Sequence, residues 1–291
     1  MLIAPGPLHR PAHVEDNTAM RAPIQTPRPV TSVQPAGKKI CYEQPLNERI
    51  RTFLRLEFLF RQTDHTLHGT SVWDSRATLA SLLEILNIFS RSDLKTEVMK
   101  ELERHTANLA RLEQNPDVDR TRLEEILDEL DVLIDHLHTA NGQIGQALKQ
   151  NEFLTSIVQR SAIPGGTCDF DLPAYHYWLA QPAEDRALQL RKWLSAFDAI
   201  RQSVELVIRL TRQSSATSRE VASGGFFQRS LDVNLPCQMV RVALPAGSPY
   251  YAEISGGRHR FTVRFLEQKD PSSRPVQTER DVEFDLACCI I

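Results

Sequence analysis

Between residues 47 and 212 apolar side chains recur at the three- and four-residue spacing of helices, and beyond residue 218 they recur at every second position, as in strands. The first pattern predicts helices over 47–66, 73–89, 93–114, a stretch opened by the capping-box spacing Thr121-Arg-Leu-Glu124, then 152–160, 183–197 and 198–212. Helical material also restarts at Leu172-Pro173. The second pattern predicts strands over 226–233, 239–244, 250–255, 258–266 and 281–287, punctuated by Pro245-Ala-Gly247 and Gly256-Gly257. Segments 40–43 and 167–170 read as short extended pieces that join the sheet. Helices in one block and strands in another imply an α+β fold, with a mainly α-helical domain over 40–220 and a segregated, mainly antiparallel β-sheet domain over 221–291.

Two helical stripes stand out. The first helix carries Ile50, Phe53, Leu54, Phe58 and Leu59 on its apolar side; the fourth carries Leu123, Ile126, Leu127, Leu130, Leu133, Ile134 and Leu137. The fourth stripe serves either the chain's own core or a second copy of the protein, and periodicity leaves both open. Residues 1–39 contain Pro5, Pro7, Pro11, Pro23, Pro27, Pro29 and Pro35 and few large apolar side chains, so they are expected to form a disordered extension.

The segment Arg258-His-Arg-Phe-Thr-Val-Arg-Phe265 is the most informative strand. Alternation sets Phe261, Val263 and Phe265 on one face and Arg258, Arg260 and Arg264 on the other. A ladder of guanidinium groups on a rigid sheet offers bidentate pairing to carboxylates, which suits docking of an acidic partner better than catalysis. Arg241 and Arg229 are candidates to join it from adjoining strands, Arg229 less securely because Phe226-Phe227 leaves its register ambiguous. The competing reading is charge balance: Asp281-Val-Glu-Phe-Asp-Leu286 alternates with acids outward, and Glu283 and Asp285 would neutralise the ladder if the two strands were neighbours.

A net charge of −3 lacks the basic excess that generic nucleic-acid binding needs to displace counterions from phosphate. Cys41, Cys168, Cys237, Cys288 and Cys289 show no metal-ligand spacing, and without a secretory signal they read as thiols of a reducing, cytoplasmic compartment. No apolar run reaches the ~20 residues of a membrane span. His136 and His138, two apart, face different ways on a helix, and no third ligand accompanies His65 and His68, so neither metal nor cofactor is expected. Asp128, Glu129, Asp131 and Asp135 fall on a solvated helix face. Cys168 with His176 is the one arrangement that suggests a thiol enzyme, and sequence proximity alone is weak support for it. A structural loop accounts for Ile163-Pro-Gly-Gly-Thr-Cys-Asp-Phe-Asp-Leu-Pro173 equally well.

Four separated stretches, 43–59, 161–173, 254–265 and 284–289, together resemble the ZapD family of bacterial cell-division proteins, in the family's order and over 40–289. The resemblance implies a cytoplasmic, non-enzymatic homodimer, dimerised through its helical bundle, that binds the C-terminal tail of the tubulin-like protein FtsZ and bundles its filaments at the division ring. It implies tail binding by basic residues of the β domain, here Arg258, Arg260 and Arg264, with Arg241 and Arg229 carried over less securely. No nucleic acid and no membrane insertion belong to that picture. A basic-patch nucleic-acid adaptor and a Cys168 enzyme are the rival classes.

Overall fold

The computed structural model describes residues 38–291 apart from 92, 141, 233 and 291. A short strand, β1 (Lys39–Pro45), precedes a run of helices: α1 (Glu48–Leu67), α2 (Val72–Arg91), α3 (Leu94–Ala110), α4 (Arg120–Thr139), α5 (Gln146–Lys149), α6 (Glu152–Ser161), α7 (Pro173–Leu179), α8 (Ala183–Leu194) and, after a 3-10 turn, α9 (Asp198–Gln213). Strands follow: β2 (Ser218–Ala222), β3 (Phe226–Ser230), β4 (Cys237–Pro245), β5 (Tyr250–Gly256), β6 (Arg260–Glu267), β7 (Val276–Gln277) and β8 (Val282–Ile290). The α+β reading holds. Helical and sheet parts nevertheless belong to one compact unit.

Side chains that satisfy otherwise unpaired N–H groups open several helices. Asn47, Asp93, Asp119 and Asn151 each accept from the backbone N–H three residues on. Asp119 therefore starts α4, two residues before the expected capping box at Thr121. Helix α9 is central: Ile200, Val204, Val207 and Ile208 are wholly buried, and the helix packs against α1, α3, α4 and β8. Leu123, Leu130, Leu133 and Leu137 of α4 are buried within this single chain, so the stripe serves its own core. On α1 the buried face runs through Ile50, Phe53, Leu56, Leu59 and Phe60, whereas Phe58 is 66% exposed.

One sheet has the order β1-β4-β8-β2 and the other β3-β6-β5, with β7 pairing β6; every pairing is antiparallel. Val240, Val242, Leu244, Phe284 and Leu286 of the first meet Phe261, Val263 and Phe265 of the second in a core between the sheets. The opposite face of the first sheet gives Met239 and Cys289 to the helical core. The order is thus helices, inner sheet, outer sheet. The chain passes from β2 to β3, between sheets, through Gly224 and Gly225, whose φ of +55° and +70° suit glycine. A Cβ on Gly225 would lie 2.4 Å from the Thr278 carbonyl oxygen.

Several sequence expectations change. Strand β1 does join the sheet, through β4, but 167–170 form turns rather than a strand. The boundary expected at 220/221 falls inside β2, and the inner sheet draws β1 from before the helices. Of the expected disordered extension, residues 1–37 lie outside the described residues, while Lys39 already begins β1.

Candidate functional site

Strand β6 runs between β3 and β5, so both its backbone edges are satisfied and its side chains point strictly in or out. Arg260 lies opposite Ser230, and Arg264 opposite Phe226 on one side and Glu253 on the other. All sit on the outer face of the outer sheet, where Arg260 and Arg264 are exposed. Arg264 is loosely engaged, 3.8 Å from the Glu253 carboxylate, and it donates from Nε to Gln277 Oε1 at 3.2 Å. Arg258 is not on the strand. It occupies the exposed bend between β5 and β6, extending the basic surface beyond the sheet edge. Among the described residues neither Arg258 nor Arg260 has an ion-pair partner.

The charge-balance reading required β6 and β8 to be neighbours, and they lie in different sheets. Asp285 and Glu283 share the face of β8 that points away from the outer sheet. There Arg219 on β2 holds both, at 3.2 and 2.8 Å, and Lys39 on β1 also pairs with Asp285. The outer arginines are therefore not neutralised by these acids.

Arg241 does not belong to the ladder. Alternation does turn it away from the core between the sheets, but that face of the inner sheet is covered by helices. Its Nε donates to Glu43 Oε1 at 2.9 Å and its Nη1 to the Arg212 carbonyl at 3.3 Å. Arg212, on α9, clasps Glu43 with two hydrogen bonds, of 2.9 and 2.8 Å, and Glu57 of α1 with two more, of 2.6 and 2.8 Å. Burial alone would raise the Glu43 carboxyl, but the Arg212 and Arg241 guanidinium groups hold it below the usual range. The network joins α1, α9, β1 and β4.

Arg229 also faces elsewhere. Its partner across the ladder is Phe261, and Phe227 pairs with Val263, so Arg229 points inward between the sheets. It meets Glu220 of β2 at 2.7 Å and covers the Phe227 ring at 5.3 Å. Of the five expected site arginines, the structure brings Arg258, Arg260 and Arg264 to one surface and sends Arg241 and Arg229 into packing.

Cys168 and His176 do not form a nucleophile and base. His176 Nδ1 lies 3.0 Å from Asp169, while the Cys168 thiol donates to Asp171 Oδ2 at 3.4 Å. Among the described residues no cluster of His, Cys, Asp and Glu could hold a metal ion, and no helix is long and apolar enough to cross a membrane.

A second surface escaped the sequence reading: a cleft of about 810 Å³ between α2, α6 and α7, lined by Leu79, Leu83, Leu154, Ile157 and Tyr175. Trp73 at its mouth is 76% exposed, and the Arg76 guanidinium sits 5.5 Å from the Trp73 ring and 4.9 Å from the Tyr175 ring. Arg186 braces the neighbouring segments; it is buried with no acid paired to it among the described residues, donating to Ser75 Oγ and to the carbonyls of Thr70, Leu179 and Gln181. The available signal was Trp73 itself, which stands outside the stripe of Leu79, Leu82, Leu86 and Phe89.

The family model described as "ZapD: Cell division protein" matches residues 54–264. Cell division protein ZapD of Methylococcus capsulatus is 45% identical over 253 residues, covering 87% of this chain and 99% of that protein. The protein of the same name from Coxiella burnetii is 38% identical over 253 residues (87% and 98%), and that of Cupriavidus taiwanensis 39% over 251 (86% and 99%). With a family model spanning most of the chain and relatives matched almost end to end, this chain belongs to the ZapD family of cell division proteins.

Proposed function

We propose that this protein binds the C-terminal tail of FtsZ and, as a homodimer, cross-links FtsZ filaments at the division ring in the cytoplasm. The observation that carries the reading is the outer basic surface: Arg258 and Arg260 exposed with no carboxylate partner among the described residues, beside a weakly engaged Arg264. A guanidinium group held on a sheet loses little further freedom on pairing with a tail carboxylate, so part of the ordering cost is met before binding. Two equivalent surfaces on a symmetric dimer hold tails from two filaments, and valency along the polymers amplifies modest single contacts. Bundling then needs no bond made or broken. Since the α4 stripe is consumed by its own core, the dimer contact falls elsewhere on the helices; Phe58, beside the groove of Leu54, Arg55 and Ile88, supplies unspent apolar surface.

Co-sedimentation with FtsZ polymers, with and without the FtsZ tail, tests this reading. Tail-dependent pelleting and bundling are expected; equal pelleting without the tail, or a chain that remains monomeric at micromolar concentration, would overturn it. The cleft beneath Trp73 favours a second reading, in which apolar tail side chains enter there and the basic surface contributes long-range attraction. Trp73→Ala abolishing binding while Arg260→Glu lowers affinity only slightly and flattens its salt dependence would select that reading. A preference for a DNA oligomer over the tail would instead support a nucleic-acid adaptor.

A further inference from the structure

Cys237 and Cys288 both face the core between the two sheets. Strand β4 bulges at its start, so that Cys237 pairs with Ile290 while Met239 pairs with Cys289 and Val240 with Cys288. The extra residue carries Cys237 into the inter-sheet core with Val240, on the side that Cys288 also faces. There Cys288 shares the inter-sheet space with Cys237, whose thiol donates to the Met239 carbonyl at 3.3 Å, and with Arg229, which reaches in from β3 of the opposing sheet and is tethered by Glu220 at 2.7 Å. Cys237 is buried and Cys288 partly exposed, and both are free thiols. The site thus combines a partly exposed cysteine, a fixed cation from the opposing sheet and a second, buried cysteine on the same face of the neighbouring strand.

We propose that Cys288 is a peroxide-reactive thiol and Cys237 its resolving partner, so that mild oxidation closes an intrachain disulfide between β4 and β8. The Cys288 thiolate attacks one oxygen of hydrogen peroxide; an S–O bond forms, the O–O bond breaks, and the departing hydroxide takes a proton to become water. The Cys237 sulfur then attacks the sulfenic sulfur of Cys288, and the S–O bond breaks with loss of a second water. Two thiols lose two electrons in all, and one peroxide becomes two waters. The neighbouring Cys237, then the Arg229 cation, hold the Cys288 thiol below its usual range against burial and Glu220. Cys237 is pushed above the usual thiol range by Cys288 and by burial, as befits the thiol that reacts second. Cys41 is exposed, yet burial of its sulfur raises its thiol, which makes it the internal control.

The test is exposure of the reduced full chain to near-stoichiometric hydrogen peroxide at pH 7, followed by mass spectrometry of the unreduced digest. A Cys237–Cys288 linked peptide is expected, with Cys288 consumed at least about fivefold faster than Cys41. In Cys237→Ser the Cys288 sulfenic acid accumulates and is trapped by dimedone; in Arg229→Gln oxidation of Cys288 slows. If Cys41 reacts first in the unsubstituted chain, or Cys288 is oxidised there without linking to Cys237, the proposal is wrong.

Discussion

The inner sheet and the outer sheet both carry arginines on faces turned away from their shared core, and the two sets have opposite surroundings. On the inner sheet Arg241 lies under the helices, locked onto Glu43 at 2.9 Å, and Arg212 of the covering helix α9 clasps the same Glu43 and Glu57 with hydrogen bonds of 2.6–2.9 Å. Arg258 and Arg260 lie on the far side of the molecule with no acid within pairing distance among the described residues. A guanidinium group under a packed layer must bring its counter-ion with it, because the unpaired charge would be costly to bury. One facing water need not, and the absence of a partner is then informative. The same residue type on the same kind of strand face therefore serves cohesion in one place and is available for recognition in the other.

The strongest test of this contrast is Arg212→Met. Two partly buried carboxylates would lose their clasp, and urea unfolding should show a loss of about 3–5 kcal/mol. Adding Glu43→Gln and Glu57→Gln should restore part of that stability, since Glu43 and Glu57, left with only Arg241 and Arg61, then no longer carry charge; no recovery would mean that packing rather than charge dominates. A buried imidazole nitrogen with no partner among the described residues extends the comparison. His105 on α3 is 3% exposed and its Nε2 has no hydrogen-bond partner; burial first, then Arg104, lowers its pKa to about 4. The unfolded chain takes up this proton near pH 6.5 and the folded chain resists until about 4, so stability is unaffected above 6.5 and falls below it, by up to about 3 kcal/mol. Just below pH 6.5, above the range in which unfolded glutamates take up protons, His105→Leu should flatten that slope in denaturant titrations.

On the outer sheet the expected effects move from folding to binding. Arg260→Glu should weaken tail binding roughly ten- to a hundredfold, the worth of about 1.5–3 kcal/mol for one charge-assisted contact, while unfolding shifts by less than about 0.5 kcal/mol. Destabilisation of several kcal/mol would make Arg260 a structural residue after all. The smallest change belongs to Glu253→Gln, which removes an exposed partner 3.8 Å from Arg264. Stability should alter by less than about 0.5 kcal/mol, with tail binding undiminished.

Alternation along 258–266 correctly assigned Phe261, Val263 and Phe265 to the core and Arg260 and Arg264 to the opposite face, because a two-residue period is a local property. Which strands are neighbours is not local, and that decided the rest. Nothing in the acids of 281–287 told that β8 pairs with β2 and β4, where Arg219 and Lys39 were waiting for them. Arg241 was correctly turned from the sandwich core, but the helical layer over that face is a tertiary fact. The doublet Phe226-Phe227 hid the register of Arg229 until the pairing of Phe227 with Val263 resolved it. Strand β2 was missed because Ser-Arg-Glu-Val-Ala alternates with charges on both faces. Helix starts at Asn47 and Asp93 were readable from cap chemistry, whereas the turn of helix in α5 is too short to show a period.

The inner sheet begins and ends the helical layer: β1, which leads into α1, and β2, which follows α9, are its two opposite edge strands. The helices are thereby slung across the full width of the sheet and moored at both sides, with the Glu43–Arg212–Glu57 clasp as a third fastening in between. Such a span has no single pivot about which to swing. Tension applied to the outer sheet is passed to the helices as shear shared among several attachments, so the chain behaves mechanically as a stiff strut rather than as two beads on a tether.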